Sequence, residues 1–315
     1  MILLRTGGTF LLLLCLAPAT FAEEPLPAGA RMKLLVPGAA PGNRPWCVAF
    51  SPDGKTLAVG GSDKQIHLFD VATGRHLRCF GSHLDYVWTV AFSPDGKWIA
   101  SGGRADFPVR IWSIDGEEQK PCEGEHHGGI TRIKFFKDGK KLIMSGGSWD
   151  PTVRVWDFPN RKQLVEMKGH TDYIDAMDLA SNERLAVTAS RDGTWRLWDV
   201  RTGRQIRSHR AEQHGYASVA FSSDGHWFVT CDSVGIFQIW ETASGLPRQA
   251  GSQDGSRNTV VAVSRDGRVT TCAIAGRRGL QVRITDTGEM LYLMGGRNDG
   301  VRGMGFSPDG RLLAS

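Results

Sequence analysis

None of the local phrases that mark an activated nucleophile or a catalytic metal occurs in this chain of 315 residues. There is no Gly-x-Ser-x-Gly elbow, no His-Glu-x-x-His and no Gly-x-Gly-x-x-Gly. Segments with apolar residues at helical spacing are missing as well, which argues against an α-rich fold. Lys/Arg runs are absent: 38 basic and 33 acidic residues lie scattered for a formal charge of +5, which gives no support for a nucleic-acid surface. Cysteine is sparse at six residues. Apart from Cys15, they are Cys47, Cys79, Cys122, Cys231 and Cys272, an odd set without CxxC spacing. That pattern is neither a disulfide framework nor a metal ribbon, and it reads as buried thiols packing like small hydrophobes. No cofactor and no metal site are expected.

Long apolar runs are also wanting. The longest, Phe10 to Leu16, is too short to span a bilayer comfortably. It follows Arg5 and precedes the small residues Ala17-Pro18-Ala19-Thr20-Phe21-Ala22, which is the pattern of a secretory signal peptide over residues 1–22. Cleavage is expected after Ala22 or Ala19. Leu14 is too bulky for lipid attachment at Cys15. The expectation is an exported protein, periplasmic or secreted, with no stable membrane insertion once the signal is removed.

What the chain has in plenty is glycine, at 39 residues, and tryptophan, at 10. Both fall in a repeating order. A turn phrase recurs as Ser51-Pro52-Asp53-Gly54, Ser93-Pro94-Asp95-Gly96, Lys137-Asp138-Gly139, Ser222-Ser223-Asp224-Gly225, Ser264-Arg265-Asp266-Gly267 and Ser307-Pro308-Asp309-Gly310. A degenerate copy stands at Ala180-Ser181-Asn182-Glu183. A second phrase follows each full copy but the last, as in Val155-Trp156-Asp157 and Leu197-Trp198-Asp199. Its aromatic position steps from 69 to 112, 156, 198 and 240. Between the phrases, period-two runs such as Val48-Ala49-Phe50 and Val153-Arg154-Val155-Trp156 are short strands reversed by Asp-Gly turns. Four antiparallel strands per unit cannot bury both faces alone, so neighbouring units must stack.

Phrases such as Phe92-Ser93-Pro94-Asp95-Gly96, and Gly169-His170 with Trp198-Asp199, resemble the WD40-repeat family over roughly residues 31 to 315, bacterial members above all. The resemblance implies an all-β fold: a seven-bladed β-propeller of four-stranded antiparallel blades, the last blade incomplete. Residues 23–43 read as a linker with a ring-closing strand near 31–36. Residues 44–315 then hold six full repeats and a truncated seventh. The family's buried hydrogen-bonded set, a His, a Ser/Thr, a turn Asp and the Trp, looks complete only in the fourth repeat, at His170, Ser190, Asp192 and Trp198. Phe69 and Thr285 replace the Trp of the first and sixth repeats.

The resemblance also implies which residues face the narrow mouth of the ring. Counting back four and six positions from the end of each first strand gives Arg44 and Trp46, Tyr86 and Trp88, Thr131, Tyr173 and Asp175, Arg257 and Thr259, and Arg302. The residue before the turn Asp adds Trp149 and Arg191. Arginine mixed with aromatic rings is the composition of binding hot spots. The expected function is an exported scaffold that binds a protein or peptide carrying acidic groups, with no catalysis and no nucleic acid. Two alternatives are a hydrolase or lyase acting at the central channel, since a triad from distant loops leaves no local phrase, and an accessory or sensor part of a longer protein. The pair His126-His127 matches the family's Gly-His loop and is taken as structural.

Overall fold

The computed structural model describes residues 4–6, 9–17, 32–35, 43–81, 83–105, 108–120, 127–147, 149–211, 215–233, 236–250, 257–275, 279–285, 290–295 and 301–315. All regular structure among them is strand. Six four-stranded antiparallel sheets follow one another along the chain as blades 1 to 6: residues 45–80, 87–119, 130–167, 174–210, 216–250 and 257–295. Within each blade the strands pair in chain order. The first strands (Pro45–Phe50 in blade 1, Val87–Phe92 in blade 2) pack against those of neighbouring blades.

The expectation of seven such blades is corrected to six. The seventh place is taken by a mixed sheet of another pattern. In it Gly305–Phe306 pairs antiparallel with Leu312–Ala314, which pairs parallel with Thr9–Ala17. That strand in turn pairs parallel with Met32–Leu35 and antiparallel with Leu4–Thr6. The mixed sheet is wedged between the two ends of the series. Leu313 joins the core of blade 6 with Val260, Ala273 and Val282, while Leu34 and Ala314 join that of blade 1 with Leu57 and Phe69. Apolar burial thus closes the ring where a regular blade is lacking.

Most of the recurrent turns share one chemistry, the exception among the full copies being Lys137-Asp138-Gly139, where Phe136 stands in the place of the serine. Ser51 Oγ donates to Asp53 Oδ1 at 2.6 Å, and the carboxylate accepts Lys55 N–H at 3.0 Å. The serine hydroxyl also accepts Thr56 N–H at 2.9 Å, and Gly54 turns the corner at φ +70°. The same set recurs at Ser93, Ser264 and Ser307. In the degenerate copy Glu183 holds the corner at φ 57°, where a side chain is strained. Between blades the packing is tight enough to require glycine. A Cβ on Gly60 would meet Val87 Cγ1 at 2.5 Å, and one on Gly102 would meet Ile130 Cβ at 2.5 Å.

Blade 4 carries the fullest buried polar set. His170 Nδ1 pairs with Asp192 Oδ2 at 2.7 Å, and His170 Nε2 with Thr188 Oγ1 at 2.6 Å. Trp198 Nε1 donates to the same Thr188 oxygen at 2.9 Å. Thr188, not Ser190, is therefore the shared hydroxyl. Ser190 Oγ donates to the Asp172 carbonyl at 2.9 Å and accepts Asp192 N–H. The other blades are thinner. Ser101 links His83 and Trp112 in blade 2, Thr230 holds Trp240 in blade 5, and Thr285 contacts Thr270 in blade 6.

Candidate binding mouth

The first strand of every blade breaks its ladder at one place. In blade 1 the register passes from Pro45↔Gly61 to Cys47↔Gly60 and skips Trp46. The residues skipped in blades 2 to 6 are Trp88, Thr131, Asp175, Ala217 and Thr259. A bulge leaves its extra residue outside the ladder and re-aims the side chain. Here the bulges set the mouth: Trp46, Trp88, Thr131, Asp175 and Ala217 all line one cavity of about 580 Å³. The side chains of Arg257 and Thr259 lie outside the described residues. Because blades 1 and 2 supply tryptophans while blades 3 and 5 supply Thr131 and Ala217, the walls are unequal.

Arginines sit on aromatic faces on both sides of this cavity. Arg302 Cζ lies 4.1 Å from the centroid of Trp46, whose other neighbour is Tyr86, stacked at 5.6 Å and 27°. Arg191 Cζ lies 4.6 Å from the Tyr173 ring, which meets Trp88 edge-on at 5.9 Å. Such stacks hold guanidinium groups in a fixed plane while leaving their edges able to bond a ligand. Arg191 also clamps Asp175 with two bonds, Nε to Oδ2 at 2.9 Å and Nη2 to Oδ1 at 3.0 Å. With Arg191 largely exposed, that pair contributes little to stability; its effect is to orient the guanidinium.

Asp175 is the only acidic side chain among the described residues that line the cavity; Arg132, Arg191 and Arg302 are the cations. Burial raises the Asp175 carboxyl above its ordinary range, against the pull of Arg191 and Arg132. Burial likewise lowers the Arg132 guanidinium, with Asp175 acting the other way. The Tyr173 phenol is pushed up to about 12, mainly by burial, so it stays a hydrogen-bond donor at neutral pH. Two further donors, the indole N–H groups of Trp46 and Trp88, are buried without a hydrogen-bond partner. Both nitrogens are closed off from the open space of the cavity, so each costs about 1–3 kcal/mol that the packing of the rings has to offset. The wall is therefore net cationic, aromatic, and richer in donors than in acceptors.

Three sequence-expected residues lie off the cavity. Tyr86 touches it only through Trp46, and Arg44 is exposed, with its backbone N–H donating to Ser62 Oγ at 2.8 Å. Trp149 is 82% exposed, in the turn that corresponds to Arg191 one blade earlier. Residues that the sequence pattern passed over are Arg132, Tyr216, Ser233, Val260 and Val301. Gly215 and Ala217 obey the counting rule but carry no side chain that composition would flag. Arg132 follows the bulged Thr131, and nothing in the sequence sets it apart from other strand arginines.

The comparisons with known proteins fit this geometry. The family model described as "WD domain, G-beta repeat" matches residues 39–70, 74–113, 120–157, 161–199 and 203–240, together more than half of the chain. The second, fourth and fifth matches take in the outer strand of one blade and continue with three strands of the next, so the sequence repeat is offset from the structural one. Among curated relatives, the RACK1y small ribosomal subunit protein of Oryza sativa subsp. japonica is 32% identical over 151 residues, 46% of this chain and 45% of that protein. The U3 small nucleolar RNA-associated protein 15 homolog of Xenopus tropicalis is 28% identical over 147 residues, 46% of this chain and 28% of its own length. The nuclear distribution protein PAC1 of Gibberella zeae is 25% identical over 158 residues, 47% of this chain and 34% of its own. The chain spans less than half the length of these relatives. All three are eukaryotic, so they lend nothing to the bacterial qualifier.

Proposed function

We propose that this chain, which belongs to the WD40 (G-beta repeat) family, is an exported interaction scaffold that takes an acidic segment of a protein partner into the mouth of its ring. Propellers of this family serve as protein-interaction scaffolds rather than catalysts. The observation that carries the finer reading is the composition of the mouth. Three arginines and the rings of Trp46 and Trp88 surround one cavity whose single acidic side chain among the described residues is already held by Arg191. Carboxylates and backbone carbonyls are the groups that such a wall would accept. Rigid blades present it without much ordering cost.

The test uses a fluorescently labelled glutamate-rich dodecapeptide and its lysine-rich counterpart, read by anisotropy. The acidic peptide is expected to bind, to weaken as salt is raised, and to be lost in the double variant Trp88→Ala, Arg191→Ala with an unchanged circular dichroism spectrum. Equal binding of both peptides, or unaltered binding by the double variant, would remove this face from consideration. Export is a separate part of the proposal: cleavage would take Leu4–Thr6 and Thr9–Ala17 out of the mixed sheet and leave Met32–Leu35 and Leu312–Ala314 to meet through Leu34 and Ala314. The protein recovered from outside the cytoplasm should begin at Glu23 or Thr20 by intact mass; a product that still contains Thr9–Ala17 would refute it.

A further inference from the structure

On the outer part of blade 1 three metal-ligating side chains converge. His67 on the third strand (Ile66–Asp70) and Cys79 on the fourth (His76–Phe80) are directly opposed in the ladder. A register break between Leu68 and Phe69 brings His76 to the same place, with His67 Nδ1 and His76 Nε2 only 3.1 Å apart. The two ring nitrogens and Cys79 Sγ all lie within 4.8 Å of one another.

The equivalent positions in other blades hold something else. In blades 2, 3 and 4 the third strand carries an arginine that bonds across to the fourth: Arg110 to Glu118 at 3.2 Å, Arg154 to Glu166 at 3.1 Å, Arg196 to Gln205 at 2.8 Å. A guanidinium against an acceptor is a self-sufficient pair. Blade 1 replaces the arginine with an imidazole and the opposing acceptors with a second imidazole and a thiol, so cation and anion are both removed and three soft or borderline donors remain.

From this juxtaposition we propose that His67, His76 and Cys79 form a binding site for a late first-row divalent cation, with zinc the ion that the donor set fits best. Nitrogen and thiolate donors suit zinc, and three protein ligands leave a fourth position for water. Zinc takes nitrogen at roughly 2.0–2.1 Å and thiolate at roughly 2.3 Å, which puts tetrahedral ligands about 3.3–3.6 Å apart. The nitrogens, 3.1 Å apart, need to part by only a few tenths of an ångström, and a change of rotamer at the exposed Cys79 closes the remaining gap. The outer shell is in place too. Asp63 Oδ2 lies 2.8 Å from His67 Nε2, so it fixes the tautomer that leaves Nδ1 as the ligand. His67 is 5% exposed and Asp63 19%, which keeps this pair ordered before any metal arrives.

The test is a titration of chelator-treated protein with Zn²⁺ by calorimetry and with Co²⁺ by absorption spectroscopy. One equivalent is expected, with a thiolate-to-cobalt charge-transfer band. Cys79→Ser should abolish the band and weaken Zn²⁺ binding at least tenfold, as should His76→Ala, and Asp63→Asn should weaken it about 10–100-fold. Both direct ligands substituted here stand at the surface or only half-buried, and circular dichroism checks the fold. Zn²⁺ should also protect Cys79 of the unmodified protein from alkylation, read by peptide mapping. No saturable uptake, a band that persists in Cys79→Ser, or alkylation of Cys79 indifferent to Zn²⁺ would each overturn the proposal.

Discussion

Replacing Thr188 by valine separates two readings of the buried polar set in blade 4. Thr188 is fully buried, and its oxygen serves both His170 Nε2 and Trp198 Nε1. Valine has nearly the same shape, so the change opens no cavity; it only removes the hydroxyl. Two buried ring nitrogens then lose their partner at about 1–3 kcal/mol each, so the expected loss is roughly 2–6 kcal/mol. Thr188→Ser, which keeps the oxygen, should recover most of it. Ser190→Ala, at the position that the family pattern suggested, should cost less, about 1–2 kcal/mol. It breaks one bond to the carbonyl of the exposed Asp172, which water can replace, and one from Asp192 N–H. Urea unfolding followed by tryptophan fluorescence gives all three numbers. If Ser190→Ala proves the more damaging, the placement of the shared hydroxyl is wrong.

Asp175→Asn removes the one acidic group that lines the mouth among the described residues and frees Arg191, so the glutamate-rich peptide should bind several-fold tighter by anisotropy; weaker binding would show that the carboxylate is needed to aim the arginine. The same set in blade 4 predicts a pH dependence. Burial alone would raise the Asp192 carboxyl, but hydrogen bonds from His170 and Thr194 outweigh it and hold it well below the carboxylate range. Burial likewise depresses His170 below the usual imidazole value, against the pull of Asp192. With both folded values below those of the unfolded chain, about 3.9 and 6.5, the unfolded state binds more protons and stability falls on acidification from near neutrality. Between pH 7 and pH 4 the fall in denaturant midpoint belongs to His170 and should be at least as steep in Asp192→Asn, which no longer holds the His170 value up; the share of Asp192 itself emerges only below about pH 4 and is absent from that variant. Gly102→Ala forces a methyl onto Ile130 and should cost about 1–3 kcal/mol, whereas Gly305→Ala, with nothing nearer than 3.9 Å, should change the melting temperature little.

Much of this architecture was legible because it is repetitive. The Ser-x-Asp-Gly corner needs a hydroxyl, a carboxylate and a left-handed glycine at fixed offsets, so the phrase itself reports a turn. Six blades could be counted from the turns and the Trp-Asp phrases together. The seventh sheet could not, because parallel pairing of Leu12–Leu14 with Leu312–Leu313-Ala314 is non-local and leaves no periodic trace. Likewise the choice between Thr188 and Ser190 rests on a two-residue offset that moves along one strand, with both hydroxyls on the same face.

The mouth was legible for a physical reason that the bulges supply. A strand without a bulge would point residues four and six back from its end to one face of the sheet, toward a neighbouring blade, as period-two alternation requires. Skipping one residue at the same place in six blades turns that position out of the sheet and toward the axis, whatever its side chain. The backbone therefore fixes where the mouth residues stand, and the sequence is free to vary what they are. In this chain the free choice went to Trp46, Trp88 and Asp175 beside small residues, so the large and charged side chains at these positions stand on blades 1, 2 and 4 and the cavity opens beside them. Moving that asymmetry should move specificity without touching stability. Exchanging the two sizes, with Trp88→Thr and Thr131→Trp together, should leave the melting temperature within a few degrees and shift peptide preference. A collapse of the fold would show instead that Trp88 is a core residue and that the mouth is not free to vary.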